Sequence, residues 1–358
     1  MVKHPTMEDV AREAGVSRAL VSIVFRNAPG ASEDSRRRVL EAAEVLGYRR
    51  NSIASKLASR TTRTLGVFVF DMRNDLTADV FEGIQAEAER LDLGLVVGIS
   101  DPTGQRDRRT LNDLIAARVD AIVLIACTLS GGELRALSEI IPLVSVTRHV
   151  SGIDSVVGDD AAGAEMTVNH LVSLGHQRIH MLAPSWRPSG RVSGYTRAMK
   201  NAGLRPGVAE VGYAHDDAVR ATAGLLKRDD APSAIFANND VTAYAVLDAL
   251  HDAHLHVPGD VAVAGYDNLR ASATSSISLT SVDQHASQLG ELGVRAAAVR
   301  IAATGKPPVL KVLAPELVVR RSTHGTAATR DRRRPTNLQG RETALRRDRA
   351  VKVFDSRP

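Results

Sequence analysis

Residues 6–27 read TMEDVAREAGVSRALVSIVFRN, and this stretch decides the fold of the first part of the chain. Thr6 is placed to cap a helix with an apolar face at helical spacing, and Gly15 ends that helix. Ser17 then caps a second helix with leucine and valine on its inward side. Two short helices joined by a tight glycine-containing turn predict a helix-turn-helix unit, whose second helix enters the major groove of DNA. A small helical bundle of another kind can show the same local pattern.

The charge distribution along the chain agrees with the helix-turn-helix prediction. Residues 1–63 hold 12 Lys and Arg against 7 Asp and Glu, and residues 325–358 hold 10 against 4. The whole chain of 358 residues has a net charge of only +5, so residues 64–324 are net acidic. A basic head on an acidic body predicts that contact with a polyanion is confined to the head.

The residues after the second helix extend the predicted DNA contact. Ser32 opens a third helix, and the arginines at 36–38 can neutralise phosphates without reading sequence. Asn51 can cap the segment 51–59, which is shorter than the ~12–15 residues that an isolated helix needs in water. This segment should therefore be ordered only against DNA, a second copy of itself, or both. Leu57 can wedge into a minor-groove base step; the alternative is an ordinary linker helix whose leucine packs on the protein body.

Residues 6–63 resemble the headpiece of the LacI/GalR family of bacterial transcription regulators. The resemblance lies in DVA at 9–11, AGVS at 14–17, VS at 21–22, the segment 48–51, ASKL at 54–57 and LGV at 65–67. It implies that Arg18 and Ala19 are variable base readers and that Leu57 opens the central step of a palindromic operator. Ile23 stands where the family often has a polar or basic residue, and its side chain can touch a thymine methyl but cannot hydrogen-bond a base. The predicted DNA-binding residues are Thr6, Ser17, Arg18, Ala19, Ser22, Ile23, Arg26, Asn27, Asn51, Ile53, Ala54 and Leu57.

From residue 64 onward, predicted strands and helices alternate in two series. The first series has strands at 65–70, 93–99, 121–126 and 143–146, with helices between them. The second has strands at 178–183, 234–237 and 261–265, and a further segment at 208–213. This alternation implies two doubly wound parallel sheets, each with a ligand-ready edge where its strands end. Two such lobes form a cleft, the usual place for a small ligand.

This body is similar to the periplasmic-binding-protein-like core of the same family. The resemblance is strongest in NHLVSLGH at 169–176, SGRVSGY at 189–195, ND at 239–240, GYD at 265–267 and LVVRRST at 317–323. The fold class that follows is an all-α helix-turn-helix headpiece plus an α/β core of two doubly wound parallel-sheet lobes. The resemblance implies an effector site between the lobes. The predicted effector-binding residues are Leu76, Thr77, Thr147, Arg148, Trp186, Arg191, Asn239 and Asp267.

The residue types at this site indicate a class of effector. Arg191 offers a fork of donors to hydroxyls or an anion, and Asp267 and Asn239 supply acceptors. Trp186, the only tryptophan, is equally suited to stacking on a sugar ring and to packing between the lobes. The family usually has an acid where this chain has residues 147–148, and commonly has aromatic residues at 76–77. Aromatic residues make up only 3% of the chain. A polyol, a monosaccharide or a phosphorylated metabolite is therefore favoured over a purine.

The composition and the resemblance together imply four parts of the chain. Residues 1–50 form the DNA-binding domain, 51–63 the hinge helix and linker, and 64–324 the effector-binding and dimerisation core. Within the core, the N-lobe covers about 64–160 and 287–314, and the C-lobe about 161–286 and 315–324. Residues 325–358 are basic and polar without sustained heptads, which predicts a disordered tail.

No catalytic residue, metal site or cofactor is predicted. The sequence lacks a G-x-S-x-G elbow, a Walker A loop, a G-x-G-x-x-G turn and an H-E-x-x-H pair. No apolar run approaches the ~20 residues of a membrane span, and the start has no signal core, so we expect a cytoplasmic, nucleoid-associated protein without a membrane partner. The prediction is a homodimeric, non-enzymatic repressor that binds palindromic double-stranded DNA under the control of a sugar-like effector. The alternatives are a solute- or sugar-binding protein and a regulator controlled by a protein partner.

Overall fold

A computed structural model describes most of the chain. The described residues are 5–25, 28–48, 61–101, 103–184, 190–212, 214–303 and 305–324. The predicted hinge segment 51–59 and the predicted tail 325–358 lie outside these ranges. The domain boundaries drawn from the sequence remain predictions.

The headpiece contains three helices around a small apolar core. They are α1 Met7–Glu13, α2 Arg18–Phe25 and α3 Glu33–Val45. The core is formed by Val10, Val21 and Val39, which are fully buried. The turn between α1 and α2 passes through Gly15, whose φ of +64° belongs to the left-handed region that favours glycine. Helix, glycine turn and helix are thus arranged as the sequence predicts.

The N-lobe is built on a six-stranded sheet in which every adjacent pair is parallel. Its strands are β1 Thr64–Val69, β2 Gly94–Ile99, β3 Ala121–Ile125, β4 Leu143–Val146, β5 Asp154–Gly158 and β11 Leu310–Leu313. The strand order across the sheet is β11-β5-β4-β3-β1-β2. The helices of this lobe are α4 Asp75–Arg90, α5 Asp107–Ala116, α6 Gly131–Ser138 and α11 Ala286–Ala302. The central strands are buried because helices pack on them.

The C-lobe repeats this architecture with one difference at its edge. Its strands are β6 Ile179–Ala183, β7 Gly207–Glu210, β8 Ala234–Ala237, β9 Ala262–Tyr266, β10 Thr280–Asp283 and β12 Glu316–Val318. The order is β12-β10-β9-β8-β6-β7, and only the pairing of β10 with β12 among these is antiparallel. Its helices are α7 Asp160–Ser173, α8 Gly190–Asn201, α9 His215–Leu226 and α10 Asp240–Asp252.

The two lobes are joined by three crossings of the chain. The chain passes from the N-lobe to the C-lobe between β5 and α7, returns between β10 and α11, and crosses again between β11 and β12. The predicted fold class is confirmed, and the predicted strands of the two series lie within a few residues of the observed ones. Four strands, β5 and β10 to β12, had no counterpart in the prediction. The crossings place β5, β11, β10 and β12 side by side with strands far away in sequence.

No helix in the described part of the chain is long and apolar enough to cross a bilayer.

Candidate DNA-binding surface and effector cleft

The start of α2 is presented on the surface of the headpiece. Ser17 Oγ accepts a hydrogen bond from Leu20 N at 3.2 Å and so caps this helix. Arg18 and Ala19, the first helical residues, are both exposed. The Nε of Arg18 lies 2.9 Å from a carboxylate oxygen of Glu8 in the first turn of α1. The predicted base readers are therefore accessible, and one of them is already paired with an acid of the preceding helix.

Other predicted DNA contacts are partly used within the headpiece. Thr6 forms a capping box with Asp9: Thr6 N donates to the carboxylate at 2.9 Å, and Asp9 N donates to Thr6 Oγ1 at 3.3 Å. Ser22 and Ile23 are half-buried on α2. The remaining predicted DNA-binding residues lie outside the described residues, and their roles stay predictions. They are Arg26, Asn27, Asn51, Ile53, Ala54 and Leu57.

The C-lobe brings two predicted effector residues together at the ends of its parallel strands. Arg191, in the first turn of α8, places Nη2 3.4 Å from Asp267, which follows β9. Its Nε donates to Asp160 at 2.9 Å, and its Nη1 donates to the main-chain oxygen of Asn238 at 2.6 Å. The guanidinium also stacks on Tyr266 with its central carbon 3.6 Å from the ring centre. We call Arg191, Asp160 and Asp267 the charged cluster.

Burial and mutual attraction set the protonation of the charged cluster. Burial raises the pKa of Asp267 to about 7, although Arg191 opposes this shift. Burial also disfavours the charge of Arg191, but Asp160 and Asp267 outweigh it and hold its pKa above the ordinary value. The site therefore contains a permanent cation and two carboxyl groups, one of which titrates near neutral pH.

Asp267 is also tied to a crossing between the lobes. Its carboxylate accepts a hydrogen bond of 2.7 Å from the side-chain amide of Gln284, which lies directly after β10. Its φ of +104° places the residue in a backbone conformation that side chains rarely adopt. Asp267 is thus bonded directly to the segment that carries the chain from one lobe to the other.

Asn239 has a structural role within the same edge of the sheet. Its side-chain oxygen accepts a hydrogen bond from Thr242 N at 2.8 Å, which makes it the N-cap of α10. The carboxylate of Asp240, next in the chain, is buried and accepts from Leu269 N at 2.8 Å and from Ser272 Oγ at 2.6 Å. Asn239 thus caps the helix, and Asp240 holds the loop after Asp267 in place.

The predicted N-lobe residues also lie where its strands end, and they are bonded within their own lobe. Thr77 Oγ1 donates to the main-chain oxygen of Asp71 at 3.0 Å, and Leu76 packs against the apolar core of the lobe. Thr147 has a φ of +70°, directly after β4. The Nη1 of Arg148 donates to two main-chain oxygens, those of residues 127 and 129, at 2.7 and 2.8 Å. Trp186 lies outside the described residues.

Sequence reasoning missed three members of the site. Asp160, Asn238 and Tyr266 each contact Arg191, and none was singled out as a ligand residue. The sequence assigned the acids at 159–160 to helix capping, and Asp159 does cap α7 by accepting from Ala162 N at 2.9 Å. A usable signal was present: all three residues lie directly at the carboxyl ends of parallel strands or in the first turn of the next helix.

A separate cavity of about 760 Å³ lies on the C-lobe, away from the predicted effector residues. It is lined by α10 and by three later segments, with Tyr244, His251, Ile277 and Arg321 among its residues. None of the eight predicted effector residues contributes to it. Within the described ranges, no group of three or more His, Cys, Asp or Glu side chains is arranged to hold a metal ion.

Comparison with known proteins identifies the class. The family described as bacterial regulatory proteins, lacI family, matches residues 6–51, and the periplasmic binding protein-like domain matches residues 168–323. Catabolite control protein A of Priestia megaterium is 32% identical over 300 residues, covering 81% of this chain and 90% of that protein. A headpiece of this kind joined to a two-lobed core defines a DNA-binding transcription regulator.

Solved structures agree with this class. The lac repressor dimer bound to operator and the anti-inducer ONPF has a TM-score of 0.81 at 25% identity, covering 90% of this chain and 99% of that one. The complex of the transcriptional regulator CelR with cellobiose has a TM-score of 0.66 at 27% identity, covering 89% and 99%. The chain belongs to the LacI family of bacterial transcription regulators. The relatives are regulators, not enzymes.

Proposed function

We propose that this protein is a homodimeric, cytoplasmic repressor that binds palindromic operator DNA and is controlled by an uncharged, hydroxyl-rich effector such as a sugar. Each subunit would place the start of α2 in the major groove of one half-site, and the effector would bind between the lobes. It would act on the nucleoid and catalyse no reaction. The observation that carries the proposal is the charged cluster at the strand ends of the C-lobe, in a chain that also exposes the start of α2 in a helix-turn-helix.

The charged cluster favours a neutral ligand over an anionic one. Three protein acceptors surround the guanidinium of Arg191, and two of them are carboxylates. A phosphate at this place would meet Asp160 and, above about pH 7, a charged Asp267 as well as the arginine, and their repulsion would offset much of its attraction. Sugar hydroxyls can both donate to a carboxylate and accept from a guanidinium N–H. The CelR neighbour, which is bound to cellobiose, supports this class of effector.

Self-association is supported by an open edge of the N-lobe sheet. In the described part of the chain, β2 pairs with β1 alone, and it exposes Val97 and Ile99 at 42% and 47%. An unpaired strand edge with exposed aliphatic side chains is suited to contact with a second copy. A symmetric dimer would also match a palindromic site, because the two-fold axis of the protein then coincides with that of the DNA. The lac repressor neighbour is a dimer on its operator.

The effector proposal is tested by thermal unfolding of the full chain in the presence of matched compounds, each a neutral sugar paired with its phosphorylated form. We expect a neutral monosaccharide or disaccharide to raise Tm, and its phosphorylated counterpart to raise Tm less or not at all, because a ligand stabilises the folded state by its binding free energy. Asp267→Ala should remove the stabilisation by the sugar while leaving operator binding without effector intact. A larger shift with the phosphorylated compound would contradict the proposed effector class.

A further inference from the structure

We propose that Glu8 is a positioning residue that holds Arg18 for the recognition of a guanine in each operator half-site. The inference rests on the proposed placement of α2 in the major groove and adds a residue of α1 to base recognition. It starts from the ion pair of 2.9 Å between the Nε of Arg18 and the carboxylate of Glu8, which joins the two helices of the helix-turn-helix.

Both partners are held on short, fixed pieces of backbone. The capping box of Thr6 and Asp9 anchors the first turn of α1, which carries Glu8. The hydrogen bond from Leu20 N to Ser17 Oγ anchors the first turn of α2, which carries Arg18. The two side chains remain 56% and 69% exposed, so solvent and DNA can reach them. The pair thus fixes a long side chain at an accessible place.

The closest contact of the pair uses only one of the five N–H donors of the guanidinium. Glu8 comes closest to Nε, the nitrogen next to the chain stem, and the two terminal nitrogens carry four further N–H donors. These two nitrogens form the fork that binds O6 and N7 of guanine, the commonest specific contact of arginine in the major groove. A fork that is already oriented loses less conformational freedom on binding.

The charge of Glu8 supports a role in specificity over one in general affinity. A carboxylate beside the DNA-facing end of α2 is repelled by phosphates, so it lowers binding to any sequence. The ion pair is also too exposed to add much to stability, since such pairs typically contribute little. Improved discrimination between base pairs is the benefit that the geometry allows.

The test uses the full chain and double-stranded DNA selected from a random pool. Wild-type protein should select a palindrome with a guanine at one position of each half-site. Replacement of this guanine by adenine in both half-sites should weaken binding about tenfold or more, as expected for loss of a bidentate arginine contact. Arg18→Ala should abolish that preference. Glu8→Ala and Glu8→Gln should reduce it about twofold to fivefold, the range expected for exposed ion pairs, while binding to random DNA stays equal or becomes tighter.

Glu13→Ala is the matched control, because Glu13 is an exposed acid of the same helix and its removal changes the charge equally. It should leave the guanine preference at the wild-type value. If both Glu8 variants kept or increased the guanine preference while circular dichroism showed intact folding, the inference about Glu8 would be overturned. The proposed function would not be affected by that result. Failure of the wild-type chain to select any palindrome would instead refute the proposed function together with the inference.

Discussion

Asp267 is the residue at which the proposed effector site, a shifted pKa and a lobe crossing meet. Its carboxyl group lies against Arg191 on one side and Gln284 on the other, and it is 5% exposed. Burial raises its pKa to about 7, whereas an aspartate in an unfolded chain titrates near 4. Between these two values the folded protein binds one proton more than the unfolded chain.

We expect this proton to appear in the pH dependence of stability. Because the folded state binds more protons between about pH 4 and about pH 7, the Asp267 contribution to the free energy of unfolding falls as pH rises through that window. Asp267→Asn should lack this fall, so its stability relative to wild type should improve from pH 5 to pH 8. Urea unfolding at several pH values measures the difference. A constant difference across this range would contradict the assigned titration.

Residue roles that depend on neighbouring sequence could be predicted, and those that depend on distant contacts could not. Thr6, Ser17 and Ser32 were predicted as helix caps, and each accepts the expected backbone N–H bond. These bonds join residues three apart. Asp160 binds Arg191 across 31 positions of sequence, and Glu8 reaches Arg18 across a turn. No local pattern encodes such pairs.

At the scale of elements, the closest approach in the N-lobe is between α4 and α11. An added Cβ at Gly83 would lie 1.8 Å from the main-chain oxygen of Ser287, and one at Gly290 would lie 2.1 Å from that of Val80. The two helices therefore pack backbone against backbone. This contact attaches α11, which follows a lobe crossing, to the helix that carries Leu76 and Thr77.

Gly83→Ala should consequently destabilise the core. The helices must separate to make room for the methyl group, at a cost of about 1–3 kcal/mol or more for overpacking. Gly224→Ala is the control, since that glycine of α9 is exposed and has no atom within 4 Å of an added Cβ. It should be neutral or more stable by up to about 1 kcal/mol. Equal free energies of unfolding for the two variants would contradict the described packing.

The hinge segment 51–59 gives a prediction that rests on its sequence. Leu57→Ala should weaken binding to a palindromic operator while leaving binding to random DNA largely intact, because a wedge into a base step acts only at the specific site. Titrations on both DNAs at one salt concentration measure this. Equal loss on the two would count against a wedge.

Elements with strong periodicity were predictable, whereas edge strands were not. The buried strand β3 stands out as a continuous aliphatic run, and β1 as a mainly apolar one. In β11, by contrast, Leu310, Lys311 and Val312 are all exposed, and β12 has only three residues. Their pairing depends on crossings that bring the end of the chain back to both sheets, and no short window of sequence contains that information.

At the scale of the whole molecule, an ion pair links the two lobes. Arg270, in the turn after β9, donates from Nε to Asp79 of α4 at 3.0 Å, and its Nη2 lies 2.5 Å from Glu82. The turn begins three residues after Asp267, and α4 begins beside Leu76 and Thr77. Arg270 therefore connects α4 of the N-lobe to the C-lobe turn after β9, and both of these elements lie next to predicted effector contacts.

Arg270→Ala should favour a wider separation of the lobes. The ratio of molecules with widely separated lobes to molecules with closely spaced lobes should rise by up to about fivefold, the range expected for exposed ion pairs. Spin labels on cysteines introduced at Arg109 and Arg220, both exposed, would report the distance between lobes. Cys127 should stay unlabelled because burial raises its pKa to about 12.

Arg228→Ala is the control, because it breaks an ion pair with Asp230 that lies inside the C-lobe. Its label distances should equal those of the wild type. If Arg270→Ala also gave the wild-type distances, the ion pair would have no part in setting the lobe arrangement.

The proposed function is tested most directly by the affinity of the full chain for a selected palindrome, measured with and without the sugar that raises its Tm most. We predict that the palindrome binds at least about a thousandfold more tightly than random DNA at physiological salt. We also predict that the sugar changes this affinity in the wild type but leaves it unchanged in Asp267→Ala. Equal affinity for palindromic and random DNA, or an equal sugar response in the two proteins, would contradict it.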